Sequence, residues 1–156
     1  MGSPCTTLAP ATLALARRGP GQYRVGPLGA LAAQGGEISM KGVILAGGKG
    51  TRLHPLTKAT NKHLLPVGAE PMIYHPIRQL VSAGIRDILV VTSTDHMGDV
   101  VRCLGSGETF GCGLTYRVQE SAAGIADALR LAEGFAGGSP ICVMLGDNVF
   151  EYSIAP

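Results

Sequence analysis

The sequence predicts an α/β domain with a mainly parallel sheet. Three features lead there: short contiguous aliphatic runs, helix-period segments of about a dozen residues between them, and a glycine cluster directly behind the first run. Ligands of such folds gather at the carboxyl ends of strands, so that glycine cluster marks the place to look for function.

The first element is KGVILA, residues 41–46, whose apolar residues are contiguous and end in glycine, as in a strand buried on both faces. Pro71 to Ala83 sets Ile73, Ile77, Leu80 and Val81 on one helical face. Pro71 suits a first turn and Gly84 a C-terminal stop, while Pro76 within the segment implies a kink or a start later than Pro71. DILVVTS, 87–93, is a second buried strand, and Asp95 is placed to cap a helix with Val100, Val101 and Leu104 as its apolar face. Glycines 105, 107, 111 and 113 force loops. LTYRVQ alternates like a half-buried strand, and Ile125, Ala128, Leu129 and Ala132 follow the spacing of a packed helix. ICVMLGD, 141–147, closes the series as another buried strand, and no internal repeat is present.

A length of 156 residues with 46% hydrophobic content supports one globular domain. Thirteen basic against eleven acidic residues give a charge of +2, too balanced for a surface that grips nucleic acid. Any anion site is therefore local. No apolar run reaches the roughly 20 residues that span a bilayer. Cys5, Cys103, Cys112 and Cys142 form no C-x-x-C pair, which favours a reduced, cytoplasmic protein. His54, His63, His75 and His96 lack the spacing of a structural metal site.

Residues 1–39 differ in character from the rest, with no acidic residue before Glu37 and Gly, Pro and Ala scattered without sustained periodicity. They are expected to be a disordered extension. Arg17 and Arg18 follow the apolar piece LAPATLALA, whereas a secretory signal carries its charge in front. Gly35-Gly36-Glu37 is encoded by codons able to spell a purine-rich ribosome-binding site, so Met40 is expected to be the initiator and 40–156 the domain.

The stretch MKGVILAGGKGTRLHPLT brings glycines and basic residues together behind the first strand. Lacking Cβ atoms, Gly47, Gly48 and Gly50 let backbone N–H groups approach phosphate oxygens, with Lys49, Arg52 and Lys62 as sources of positive charge. A polyphosphate is the fitting guest; a tight turn with solvated basic residues is the plain alternative. Two familiar phosphate loops are excluded. The pattern G-x-x-x-x-G-K-[ST] needs lysine after its last glycine, but Lys49 precedes Gly50, and G-x-G-x-x-G needs glycine where Leu53 stands.

Taken with NKHLLPV, PMIYHPI, AGI and LGDNVF in order, this stretch resembles the sugar-1-phosphate nucleotidyltransferases, in particular the thymidylyltransferases acting on glucose-1-phosphate. The resemblance covers Met40 to Pro156, the nucleotide-binding first half of such enzymes. It implies a truncated nucleotidyltransferase fold, a Rossmann-like three-layer sandwich. It also implies attack by a sugar-1-phosphate oxygen on the α-phosphate of a nucleoside triphosphate, dTTP being favoured over UTP, CTP or ATP, with Mg²⁺ as cofactor. By motif position, the backbone at Leu45, Gly47 and Gly48 lines the nucleotide pocket, and Gly50, Thr51 and Arg52 hold the triphosphate. Arg52 steadies the leaving pyrophosphate and Lys62 the α-phosphate. Gln119 hydrogen-bonds the base, Gly124 lets the base lie against backbone, and Asp147 binds Mg²⁺.

The same resemblance marks a departure, because the family's second magnesium-binding aspartate and most sugar contacts come from a half that this sequence does not contain. Little or no turnover by the isolated chain is therefore expected. Loss of later sheet partners is expected to leave apolar surface open to a second copy or a complementing chain.

Overall fold

The computed structural model describes residues 13–19, 22–26, 40–48, 50–121, 123–150 and 154, the first two segments as backbone only. Its frame is a six-stranded sheet in the order β2-β1-β8-β3-β6-β7. These are β1 (Leu13–Gly19), β2 (Gln22–Gly26), β3 (Lys41–Ala46), β6 (Asp87–Ser93), β7 (Gly113–Gln119) and β8 (Ile141–Leu145). A separate pair, β4 (Pro66–Val67) and β5 (Glu70–Pro71), makes a small hairpin. The helices are α1 (Tyr74–Ser82), α2 (Met97–Leu104), α3 (Ile125–Leu131) and α4 (Glu133–Ala136).

β3 is central, running parallel to β6 on one side and to β8 on the other, and β7 continues the parallel arrangement beyond β6. Both faces of β3, β6 and β8 are covered, which is why their apolar residues are contiguous, whereas β7 alternates between exposed and half-buried positions. Ile44, Ile88, Val90 and Met144 face Ile73, Ile77, Leu80, Val100 and Leu104. Val43, Leu45, Leu89, Val91 and Ile141 pack with Ala128 and Ala132 on the opposite side. Each fully buried Ile or Leu contributes about 1.5–3 kcal/mol relative to exposure, so the strands that carry the site are held from two sides. The expected three-layer α/β sandwich with a mainly parallel sheet is the architecture observed.

Some local expectations are corrected. The first helix-period segment becomes α1 only at Tyr74, because Pro71 is engaged in β5. Pro76 then falls in the first helical turn, where its missing N–H removes no intrahelical bond. Asp95 does not cap α2: it lies inside a 3-10 turn, Thr94–His96, and His96 precedes the helix without a side-chain cap. Val101, expected on the buried face of α2, is 37% exposed, and Ile125, expected in the packed stripe of α3, is 57% exposed. β8 ends at Leu145, leaving Gly146 and Asp147 free to turn over the strand ends.

Within the extension expected to be irregular, Leu13–Gly19 and Gln22–Gly26 are strands, and β1 joins β8 antiparallel through Leu13, Ala14 and Leu15. An open edge of N–H and C=O groups on β8 is the physical reason: it accepts any extended segment that reaches it. The remaining residues of 1–39 lie outside those described. Among the described residues, no helix is long and apolar enough to cross a membrane.

Candidate functional site

Parallel register puts the carboxyl ends of β3, β6, β7 and β8 at one end of the sheet. The chain leaves β3 through Gly47 and Gly48, whose φ of 102° is a left-handed value that favours glycine. Lys49 lies outside the described residues. Gly50, at φ 57°, opens a 3-10 turn, Thr51–Leu53, and its carbonyl accepts a bond from the Leu53 N–H. The same carbonyl accepts a 2.8 Å bond from the buried Thr57 hydroxyl. A Cβ on Gly50 would stand 3.0 Å from Thr57 Cγ2 and 3.1 Å from Lys62 Cβ. The turn is thus pinned from beneath, while Thr51 and Arg52 stay exposed on its outer side.

Lys62 begins the third 3-10 turn of this loop, Lys62–Leu64, and reaches Asp147, with Nζ 2.5 Å from Oδ2. Asp147 follows Gly146, whose N–H donates to the Leu45 carbonyl at 2.9 Å, so the ends of β3 and β8 are tied by backbone. Burial pushes the Asp147 carboxyl up, but the hydrogen bond and charge of Lys62 outweigh it and hold the group below the ordinary carboxylate value. At neutral pH the site therefore carries an ion pair. Beside it, burial first and the Lys62 charge second push His63 down to about 4, leaving a neutral ring.

Gln119 ends β7, buried, with Nε2 donating to the Gly124 carbonyl at 3.1 Å and to Asp127 Oδ2 at 3.0 Å. Its Oε1 lies 3.2 Å from where a Cβ on Gly47 would be, so a side chain there would press on the Gln119 amide. Gly124 itself has φ 89°. The hydrogen bond from Gln119, then that from Arg130, hold the Asp127 carboxyl below its ordinary value.

Two groups of predicted residues are thus assembled. Gly47, Gln119 and Gly124 form one; Leu45, Gly50, Lys62 and Asp147 form the other, joined through the Leu45–Gly146 backbone bond and the Lys62–Asp147 pair. Thr51 and Arg52 flank the second without a side-chain bond to it among the described residues. Sequence reasoning missed Thr57, Asn61, His63 and Asp127. The signal for Asn61 was present, since Asn two residues before His in a loop favours side-chain-to-backbone capping, and its Oδ1 does accept from the His63 N–H.

Among the described residues there is no cluster of three metal-ligating side chains. Asp147 still suits a magnesium ion held mainly by water and phosphate, a mode that needs one or two carboxylates. A glycine turn, an ammonium and an ionised carboxylate thus lie together at the parallel strand ends, a combination whose chemistry suits a phosphorylated ligand.

Residues 41–155 match the model of the nucleotidyl transferase family, and the chain belongs to that family. The particular relatives are consistent among themselves. A glucose-1-phosphate thymidylyltransferase of Neisseria meningitidis is 50% identical over 111 residues, covering 71% of this chain and 38% of the relative. One from Xanthomonas campestris is 48% identical with the same coverage. Among solved structures, a Bacillus anthracis protein assigned as a glucose-1-phosphate thymidylyltransferase, in complex with a sucrose, superposes with a TM-score of 0.73 at 58% identity, over 75% of this chain and 48% of that one. A UDP-glucose pyrophosphorylase complexed with UDP-glucose gives 0.57 at 27% identity, over 69% and 46%. The chain spans about 38% of the length of the curated relatives it matches.

Proposed function

We propose that residues 40–156 are the nucleotide-binding part of an enzyme that transfers a nucleotidyl group from dTTP to glucose-1-phosphate, giving dTDP-glucose and pyrophosphate. The observation that carries this reading is the Lys62–Asp147 pair, 2.5 Å apart across 85 residues of sequence and seated beside a pinned glycine turn. A phosphate oxygen of the sugar-1-phosphate attacks the α-phosphorus, the bond from that phosphorus to the bridging oxygen breaks, and pyrophosphate leaves with the electron pair. Such chemistry requires positioning and charge neutralisation more than covalent help.

In this reading the Lys62 ammonium offsets charge gathering on the α-phosphoryl oxygens, and the exposed Arg52 guanidinium meets the outer phosphates bidentately. Backbone at Gly47, Gly48 and Gly50 admits the triphosphate, with Thr51 beside it. Gln119, next to Gly47 and Gly124, contacts the base. Asp147 would hold Mg²⁺, which would supply positive charge to offset that of the phosphates. Lys62 and Asp147 then part to meet phosphate and cation respectively. We place the protein in the cytoplasm and expect it to assemble with a second copy or a complementing chain.

A second reading is a nucleotide-binding module without turnover. One experiment separates the two. The purified chain is mixed with dTTP, glucose-1-phosphate and Mg²⁺, with pyrophosphate release and dTTP binding measured alongside Lys62→Ala. Release abolished by the substitution supports the enzyme, and binding without release the module. A folded chain that binds no dTTP refutes both.

A further inference from the structure

Two polar side chains flank Lys62 and turn the other way. Asn61 and His63 are each 1% exposed, whereas the Lys62 side chain between them is 24% exposed and reaches Asp147. A buried polar group left unsatisfied costs about 1–3 kcal/mol, and an apolar pair would fill the same space without that liability. The observed bonds show what the polar pair does instead.

Asn61 Nδ2 donates to the carbonyl of Ala46, 3.3 Å away, at the last residue of β3 where the glycine loop begins. The same carbonyl receives the buried Thr92 hydroxyl at 3.4 Å. Asn61 Oδ1 accepts from the His63 backbone N–H at 2.9 Å and stands 2.6 Å from His63 Nδ1. An amide oxygen only accepts, so Nδ1 carries the proton. The His63 ring lies against Gly146, where a Cβ would come within 2.8 Å of Cδ2, and the His63 carbonyl accepts from the Ile73 N–H at 2.9 Å. Three elements are thereby joined: the end of β3, the start of α1 and the turn that carries Asp147.

We propose that Asn61 and His63 are positioning residues, a buried strut that sets Lys62 at a fixed place relative to both the glycine loop and the Asp147 turn. Neither is assigned a role by the family resemblance, and the role given them rests on the reading of Lys62 as the group that meets the triphosphate. Satisfied buried networks of this kind rigidify what they join. A lysine on a four-carbon stem otherwise spreads its charge over many rotamers, so fixing its backbone between two anchors is the available way to place it. The neutral ring, held down to about 4 by burial and by Lys62, keeps the Nδ1 donor pattern unchanged near neutral pH.

The test compares dTTP with thymidine as ligands of the full 156-residue chain. Asn61→Leu removes both ends of the strut, His63→Phe keeps a ring against Gly146 but no donor, and His63→Asn returns a donor near the Nδ1 position. A misplaced Lys62 is felt by the phosphates alone. Asn61→Leu and His63→Phe should weaken dTTP about tenfold to a hundredfold and leave thymidine unchanged, with His63→Asn restoring most of the loss. Unchanged dTTP affinity, or equal loss for both ligands, overturns the proposal. Should the wild-type chain bind neither ligand, the nucleotide reading of the site fails, and crystal structures of the two variants decide the strut. Lys62 still bonded to Asp147 in both refutes it; Lys62 displaced in both sustains it.

Discussion

Lys62 Nζ stands 2.5 Å from Asp147 Oδ2, although 85 residues separate the two in sequence. The pair joins the turn after the glycine loop to the turn after β8, and each group is half-shielded, at 24% and 35% side-chain exposure. In the nucleotide reading both have another task, one toward phosphate and one toward a cation. Their mutual attraction therefore opposes metal-free triphosphate binding and is released when both ligands arrive together.

That competition has a measurable sign. Asp147→Asn removes a negative charge from the site and leaves the Lys62 ammonium unpaired. Affinity for dTTP in the presence of a chelator should rise several-fold, in line with about 1 kcal/mol for a partly exposed pair. The gain in affinity that wild type shows on adding Mg²⁺ should disappear. Calorimetric titration with EDTA and with Mg²⁺ checks both, and weaker metal-free binding in the variant would contradict the assignment.

His63 predicts an acid weakness of the fold. Its folded value of about 4 lies below the ordinary 6.5, so above pH 6.5 it is neutral in both states and its contribution to stability is fully present. As pH falls from 6.5 toward 4, the unfolded chain takes up a proton that the folded chain refuses, and stability drops by about 1.4 kcal/mol per unit, about 3 kcal/mol in all. Among the carboxylates with lowered values, Asp127 and Asp147 start from 3.8, below that window, while Glu70 starts from 4.5 and adds to the loss only at its acid end. Urea unfolding at pH 7, 6, 5 and 4 should show the decline, and His63→Asn should flatten it.

Most strands were readable because contiguity of Val, Ile and Leu has one simple cause, cover on both faces. DILVVTS was placed to the residue, and its five central positions are buried. Helix starts were less readable. Pro71 and Pro76 both suit a first turn, and the choice between them was made by β5, a pairing with Pro66 and Val67 that no local signal announces. The two strands within the extension were unreadable for a related reason: Leu13, Ala14 and Leu15 extend because β8 offers them an edge, and an edge is a property of the assembled sheet. Within the site, the glycine turn and Lys62 stood out by composition. His63 did not, since its neighbour Gly146 lies far away in sequence, and the local signal at Asn61 pointed to its bond with His63 but not to the one with Ala46.

Gly50 tests how far that glycine turn depends on its backbone. Gly50→Ala forces a side chain into a left-handed conformation, costing about 1–2 kcal/mol, and sets its Cβ 3.0 Å from Thr57 Cγ2 and 3.1 Å from Lys62 Cβ. The unfolding midpoint should fall accordingly. Because Lys62 is one of the two neighbours that must yield, dTTP affinity should fall as well. Gly68→Ala serves as control: its φ is also positive, at 65°, but no atom lies within 4 Å of its Cβ position. It should lose stability to a similar degree with no change in dTTP binding.

The hairpin at the sheet edge leads to a prediction about assembly. β8 pairs with β3 on one side, and on the other Ile141, Cys142 and Val143 pair with Leu15, Ala14 and Leu13 of β1. Removing residues 1–39 would strip that cover and leave a row of unpaired N–H and C=O groups along β8, next to the 37% exposed Leu145. A chain beginning at Met40 should therefore self-associate at concentrations where the full chain does not, as read by light scattering after size exclusion. Leu13→Pro and Leu15→Pro together, in the full-length chain, should reproduce the effect, because proline cannot donate to a strand ladder. Equal masses for all three proteins at matched concentration would show that β8 needs no such cover, and would leave the β1–β8 pairing without a role in keeping the chain apart from its copies.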